Sequence, residues 1–345
     1  MTRFADRLAA AWYAPRPTLI AIVLWPLSAV FGVIAATRRA LYRAGVLRSE
    51  RVGVRVVVVG NLTAGGSGKT PLGLALADAL AARGRRPGFV SRGYGGSAAA
   101  ARAVGRDDDP RVVGDEPLLL AASGFPVWIG RRRAEAARGL LEANPDVDVI
   151  IADDGLQHYA LARDCEIVVI DAARGFGNGL LLPAGPLREP ASRLASVDAI
   201  VRLVTGASVA AGSPAVLAAP VCDTPMRLEP LAWRNLRRSD VHAEPSRWPR
   251  GGVHAIAGIG HPERFFAQVR ALGIDAICHP FPDHHAFTPA DIAFPGAAVI
   301  LMTAKDAVKC AAFADDRCWC LPVRARIDPA LVECVLARLH GRQAA

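Results

Sequence analysis

The chain has 345 residues, room for two domains of about 150 residues each. With 52% hydrophobic and 21% charged residues it is not a wholly disordered chain, because such chains lack the apolar surface that offsets ordering entropy; glycine and proline follow no short period, which excludes a collagen-like fibre. A net charge of +9 favours polyanionic partners: nucleic acid, anionic lipid headgroups or phosphorylated substrates.

The first predicted element is apolar. Residues 17–37 carry no charged side chain and contain Leu19, Ile20, Ile22, Val23, Leu24, Trp25, Leu27, Val30, Phe31, Val33 and Ile34. As a helix, about 20 such residues span roughly 30 Å, the thickness of a bilayer's hydrocarbon core. Removal as a secretory signal is not expected, since a polar and aromatic lead precedes the run and Arg38, Arg39 and Arg43 stand where cleavage would occur. A buried core helix is the plain alternative. Pro26 in mid-run and the aromatics Trp12, Tyr13 and Trp25 also fit a helix lying in the interface, so spanning and interfacial placement both stay open. Arg38, Arg39, Arg43, Arg48 and Arg51 after the run outnumber Arg3, Arg7 and Arg16 before it, which by the positive-inside rule puts the main body in the cytoplasm. Seven scattered cysteines agree with a reducing compartment, and Cys318-Trp319-Cys320, with no second Cys/His cluster nearby, reads as alternate positions of a strand.

Beyond Arg51, apolar strands alternate with amphipathic helices, the pattern of a parallel sheet covered on both faces. Strands are predicted over 54–59, 88–91, 127–129, 147–152, 166–171 and 199–204, with helices over 72–82 and 133–141. From 214 to 250 the pattern weakens into Pro-bearing, Arg-rich, Trp-containing sequence that reads as linker strands. Alternation resumes with strands over 253–256, 276–279, 299–302 and 321–324 and helices over 262–271 and 329–339. The expected organisation is an N-terminal membrane-associated helix and juxtamembrane segment (1–50), a P-loop core (51–213), linker strands (214–250) and a smaller α/β domain (251–345). The Ala98–Ala101 tract and Asp107-Asp108-Asp109 read as a solvated loop.

The strongest chemical signal is the Val-rich strand ending at Gly60, followed by Asn61-Leu62-Thr63-Ala64-Gly65-Gly66-Ser67-Gly68-Lys69-Thr70. A Gly-rich loop between a buried strand and a helix start turns backbone N–H groups toward a phosphate, Lys69 reaches the β/γ-phosphates and Thr70 ligates Mg²⁺. The strict pattern asks for Gly where Thr63 stands; Gly65 and Gly66 supply flexibility inside the loop instead. The 147–152 strand ends in Asp153-Asp154-Gly155, paired carboxylates that face a nucleotide crevice when they close a parallel strand. Thr303-Ala304-Lys305-Asp306 is superficially similar to the guanine-reading segment of GTPases, but its lysine stands one position late, and no transporter signature is present. The remaining classes are a P-loop enzyme that moves phosphate to a small or lipid acceptor and a P-loop switch at a membrane. Asp115-Glu116 is a loop acid pair, and His284 follows a predicted strand of the second unit; a His facing an Asp across a cleft makes a base dyad. Arg131-Arg132-Arg133 reads as a solvated face or, beside a phosphate, as a clamp.

The segments Gly60–Pro71, Ser91-Arg92-Gly93-Tyr94-Gly95, Gly114-Asp115-Glu116-Pro117, Asp153-Asp154-Gly155-Leu156-Gln157-His158, Leu182–Glu189, Gly258–Pro262, Asp283-His284 and Lys305–Lys309 together resemble the tetraacyldisaccharide 4'-kinase family, the lipid A 4'-kinases of Gram-negative bacteria. Thr63 belongs to that family's loop. The resemblance implies a P-loop kinase core with a second, smaller α/β domain, and ATP- and Mg²⁺-dependent phosphorylation of the 4'-hydroxyl of a tetraacylated glucosamine disaccharide 1-phosphate. The product is lipid IV A, made at the cytoplasmic face of the inner membrane. By position, Lys69 and Ser67 serve the phosphates, Thr70, Asp153 and Asp154 the metal, and Asp115 with His284 the acceptor proton. Arg92, Tyr94, Glu116, Arg133, Gln157, His158, Arg188 and Glu189 are further site residues on the same ground. The implied partners are the glycolipid and inner-membrane lipids, with no nucleic acid and no obligate protein partner; the rival is a membrane-attached P-loop ATPase switch without a lipid acceptor.

Overall fold

The structure, a computed structural model, describes residues 2–16, 18–205, 222–238, 240–244, 248–249 and 251–341. Of the expected 214–250 linker, 214–221, 239, 245–247 and 250 lie outside the described residues. Helices α1 (Thr2–Trp12) and α2 (Leu19–Arg43) lead into β1 (Arg55–Gly60), α3 (Lys69–Ala81), β2 (Pro87–Ser91), β3 (Arg102–Ala103), α4 (Pro110–Val113), α5 (Asp115–Ala122), β4 (Val127–Ile129), α6 (Arg133–Ala143), β5 (Val149–Asp153), β6 (Cys165–Asp171) and β7 (Ala199–Leu203). Then come β8 (Cys222–Pro230), β9 (Trp233–Asn235), β10 (His242–Ala243), β11 (Val253–Ala257), α7 (Pro262–Ala271), β12 (Ile277–Pro280), β13 (Val299–Thr303), α8 (Ala304–Cys310), β14 (Cys318–Leu321), β15 (Val323–Ile327) and α9 (Pro329–His340).

Two sheets carry the fold. A 9-stranded sheet has the order β15-β8-β7-β6-β1-β5-β2-β4-β3, parallel from β8 through to β4, and a 6-stranded sheet has the order β10-β9-β14-β13-β11-β12. Strand β1 explains why the large sheet is buried on both faces. Val57 and Val59 pack with Leu72 and Leu76 of α3 and Leu331 of α9, while Val56 and Val58 point the other way, toward Ala136 and Leu140 of α6. All four valines are buried, and each fully buried valine stabilises the fold by about 1.5–3 kcal/mol.

The sheets divide the chain differently from the boundaries read off the periodicity. Strand β8, inside the expected linker, adds to β7 in the large sheet, and β15 turns back antiparallel against β8, bringing α9 onto the large sheet although 251–345 was expected to form the smaller unit. The single strand expected over 321–324 is two strands in different sheets, because Pro322 has no N–H to continue the ladder. The chain therefore crosses between the sheets twice, around Leu231 and at Pro322, and the crossings are tied by Leu231 N–H donating to Pro322 O at 2.9 Å. Cys318 and Cys320 are buried with Trp319 between them half-buried, the alternation expected for β14.

Helix α2 is 25 residues long, enough to reach about 37 Å at 1.5 Å per residue, and only Ala21 and Ser28 in it are buried. Leu19, Ile22, Val23, Trp25, Leu27, Val30, Val33 and Ile34 are exposed, which excludes the buried core helix. The helix is docked near its middle and at its C-terminal end, where Arg38 donates to Gln157 O (3.2 Å) and Arg39 to Ser196 Oγ (2.7 Å). Ser28 Oγ donates to Leu181 O (2.8 Å) and accepts from Ala184 N (2.9 Å), and Trp12 Nε1 donates to Pro183 O (2.9 Å).

Candidate active site

The site opens at the carboxyl ends of β1, β5 and β6, beside β1, where the chain order reverses and α/β sheets leave a crevice. Strand β1 stops at Gly60, where a Cβ would lie 2.6 Å from the Leu156 Cβ, so the approach of the 155–158 turn requires glycine. Gly65 (φ 102°) and Gly68 (φ 88°) then bend the loop through left-handed backbone. A Cβ built on Gly65 or Gly66 meets nothing within 4 Å, while one built on Gly260 would lie 2.9 Å from Gly66 N, so no side chain packs on these glycines but the 258–260 segment approaches the loop backbone closely. Helix α3 starts at Lys69, three residues before the apolar periodicity begins, because Gly68 ends the loop in a helix-initiating turn.

Lys69 and Thr70 are buried at the head of α3. Lys69 Nζ lies 3.3 Å from Asn61 Oδ1 and 3.6 Å from Asp154 Oδ1. Thr70 Oγ1 donates to Asp153 Oδ2 at 3.3 Å. The two aspartates, both expected to serve the metal, occupy different environments. Asp153 is buried, and burial pushes its carboxyl above the usual carboxylate range, with the Glu116 charge adding to the effect. Burial acts the same way on Asp154, but Lys69 and the Arg188 guanidinium, which meets both its oxygens at 3.0 Å, outweigh it and hold that carboxyl well below the range. Asp153 Oδ1 and Ser67 Oγ are buried with no hydrogen-bond partner among the described residues. Unpartnered hard oxygens beside Thr70 fit a divalent cation such as Mg²⁺, which takes hydroxyl and carboxylate oxygen.

Arg133, the third arginine of the run expected as a solvated face or a clamp, is buried at the start of α6 and donates to Asp153 O (3.4 Å) and Asp154 O (2.8 Å). It is a strut under the acid turn, and burial lowers its pKa to about 10. His158 Nε2 accepts the Arg133 N–H at 3.4 Å, and burial, reinforced by Arg133 and Arg163, pushes the ring down to about 4. Gln157 Nε2 donates to Asn61 O (3.1 Å) and Glu189 Oε2 (3.4 Å), which links the 155–158 turn to the loop and to Glu189, itself bonded by the Tyr159 hydroxyl.

The second cluster stands beside this one: the Glu116 charge acts on Asp153, and a Cβ on Gly260 would lie 2.9 Å from Gly66 N and 3.2 Å from Asp283 Oδ2. Asp115, expected in a loop, is the first residue of α5, and Glu116 is the second. His284 Nδ1 lies 3.1 Å from both Asp115 oxygens, so the dyad across the cleft is formed. Burial raises the Asp115 carboxyl, but the His284 bond and the Lys305 and Lys309 charges outweigh it and leave the pKa lowered; burial opposes protonation of His284, yet the Asp115 bond leaves its pKa raised. Tyr94 is exposed and sets its ring edge-on to His284 with centroids 5.1 Å apart; Arg92 is exposed at the rim. Asp154 (φ 47°) and His284 (φ 58°) are the non-glycine residues with positive φ among the described residues, and both are here, strain costing about 1–3 kcal/mol each that persists where surrounding contacts enforce it. Lys305, Lys309 and Asn61 were not singled out as site residues from the sequence. Each lies inside a motif, but only the fold brings Lys305 within 3.3 Å of His284 and Asn61 within 3.3 Å of Lys69.

The chain is similar along nearly its whole length to proteins of one family. The family model described as LpxK, tetraacyldisaccharide-1-P 4'-kinase, matches residues 20–340. A tetraacyldisaccharide 4'-kinase of Azoarcus sp. (strain BH72) is 50% identical over 324 residues, covering 93% of both chains, and one of Chromobacterium violaceum is 51% identical over 342 residues, covering 96% of this chain and 98% of that one. Among solved structures, the "apo" form of LpxK from Aquifex aeolicus in complex with ATP superposes with a TM-score of 0.77 at 27% identity, covering 93% of this chain and all of that one. The chain belongs to the tetraacyldisaccharide-1-P 4'-kinase family.

Proposed function

We propose that this protein transfers the terminal phosphoryl group of ATP to the 4'-hydroxyl of a tetraacylated glucosamine disaccharide 1-phosphate, giving lipid IV A. The observation that carries this reading is the pairing of a phosphate loop ending in Lys69-Thr70 with an Asp115–His284 dyad from the other side of the same cleft. A nucleotide switch needs the first and has no use for the second, which disfavours the rival ATPase.

Phosphoryl transfer asks the protein mainly for in-line positioning and neutralisation of the equatorial oxygens. Lys69, buried beside the loop N–H groups, supplies a fixed positive charge at the β/γ-phosphates. Asp154 holds Lys69 and Arg188 in place through ion pairs, so its part is to position cations. Thr70, Asp153 and Ser67 offer the oxygens for Mg²⁺, which supplies charge neutralisation on the transferring group when bound. On the acceptor side, His284, oriented by Asp115, takes the 4'-hydroxyl proton as the new P–O bond forms and the bond to the ADP oxygen breaks.

The exposed apolar face of α2 and the basic Arg38 and Arg39 at its end support attachment to the inner membrane at its cytoplasmic face, where the acyl chains of the substrate stay in the bilayer while the sugar enters the cleft. The test is mass analysis of the glycolipid after incubation with ATP and Mg²⁺. One added phosphate on the distal sugar supports the assignment, and nucleotide turnover with an unmodified lipid overturns it.

A further inference from the structure

His284 is held from both ring nitrogens, and the second contact has a chemical consequence. While Nδ1 faces Asp115, Nε2 lies 3.3 Å from the Nζ of Lys305, the second residue of α8. Lys305 is half-buried and bonds Glu116 Oε1 at 3.0 Å, with Asp283 Oδ1 at 3.6 Å and Asp115 Oδ2 at 3.8 Å. An ammonium only donates, so it bonds Nε2 only where that nitrogen carries a lone pair. The ring proton then sits on Nδ1, directed at the Asp115 carboxylate. The imidazolium form sets an N–H on Nε2 against an N–H of the ammonium, so protonation of His284 and its contact with Lys305 exclude each other.

We propose that Lys305 is a positioning residue for the dyad: its ammonium selects the His284 tautomer that leaves Nε2 free to accept a proton, and withdraws to Glu116 and Asp283 when the acceptor hydroxyl takes its place. The inference rests on the base role given to His284 above. The withdrawal needs no new partner, because both carboxylates already touch the ammonium. It also coincides with the moment the site needs it, since the ring that gains a proton repels the lysine. The charged groups in contact with the His284 ring are Asp115 from α5, Lys305 from α8 and Asp283 from its own loop; behind them Glu116 pairs with Lys305 and Lys309 with Asp115, and the Tyr94 ring lies at the edge. Lys309 is committed to Asp306 at 2.7 Å and reaches Asp115 only at 3.9 Å, so Lys305 is the cation that acts on Nε2.

The test uses full-length enzyme in detergent, the pH dependence of kcat/KM and histidine nitrogen NMR. In Lys305→Met the His284 ring titrates at higher pH and the acid limb of the profile moves upward by about one pH unit, so the loss of activity is about tenfold greater on the acid side than on the alkaline side. Lys305→Arg keeps the limb near the parent position. Lys305→Gln, uncharged but still a donor, moves it as Met does and serves if the Met variant no longer binds ATP. An unmoved limb and ring titration with the same fractional loss at every pH, or a ring that titrates lower, overturns the proposal. The NMR titration reads Lys305 whether or not His284 is the base, so failure of this inference is separable from failure of the dyad, which shows as near-normal turnover in His284→Ala and Asp115→Ala.

Discussion

The two sides of the cleft are built by different means. The phosphate side stands on the ends of β1 and β5, buried parallel strands paired on both sides, so the loop at residues 61–68 and the acid turn at Asp153-Asp154 are fixed by the large sheet. The acid–base side is assembled from the first turn of α5 and from a loop and a short helix of the small sheet, and the chain connects the two sheets only at Leu231 and Pro322. One side binds with a preformed framework; the other is complete only while two separately supported pieces stay together. In such a division the acid–base groups meet only while the two sheets are held together, as they are here.

The comparison breaks most sharply at the charged residues on either side. Lys69→Ala is expected to lower turnover by at least about a hundredfold through loss of phosphate neutralisation, and Asp115→Ala and His284→Ala each by at least about a hundredfold through loss of proton transfer, all measured by transfer of radiolabelled phosphate to the glycolipid. Near-normal turnover of Asp115→Ala removes the acid–base side from the account. Deleting residues 1–37 is expected to move the protein toward the soluble fraction and to raise the KM for the glycolipid by roughly tenfold while ATP affinity changes little. Unchanged membrane partition contradicts the role given to α2.

Smaller effects sharpen the contrast in stability. His158 is held neutral down to about 4 in the folded protein, against an ordinary 6.5, so the unfolded chain binds the extra proton in between. The stability this contributes is complete above pH 6.5 and is lost as pH falls toward 4. His158→Gln, which keeps an acceptor for Arg133 N–H, is expected to flatten the acid side of the urea-unfolding free energy, and an unchanged slope contradicts the shift. Ser28→Val leaves Ala184 N–H and Leu181 O without their partner and is expected to cost about 1–3 kcal/mol of unfolding free energy, detected by the same method.

What was legible in the sequence follows the same division. The phosphate loop, the acid pair and the strands that carry them are local patterns, so Gly60, Lys69, Thr70 and Asp153 could be read in order and lie where the spacing put them. The dyad needed residues 169 positions apart and was reached through the family's motifs, not through periodicity. The roles of Asp154 and Arg133 could not be read locally, because an acid at a strand end looks the same whether it faces a metal or two cations, and an arginine in a basic run looks the same whether solvated or buried under a turn. The return of β15 to the large sheet was hidden for a similar reason: alternation identifies a strand but does not say which sheet it joins, and Pro322 was the only mark of the crossing.

The measurement that bears most directly on the account is the mass of the lipid after the purified protein is incubated with ATP, Mg²⁺ and the tetraacylated disaccharide 1-phosphate. The account predicts a product heavier by one phosphate group, carried on the distal sugar and absent with Lys69→Ala. A lipid of unchanged mass alongside release of free phosphate from ATP contradicts it.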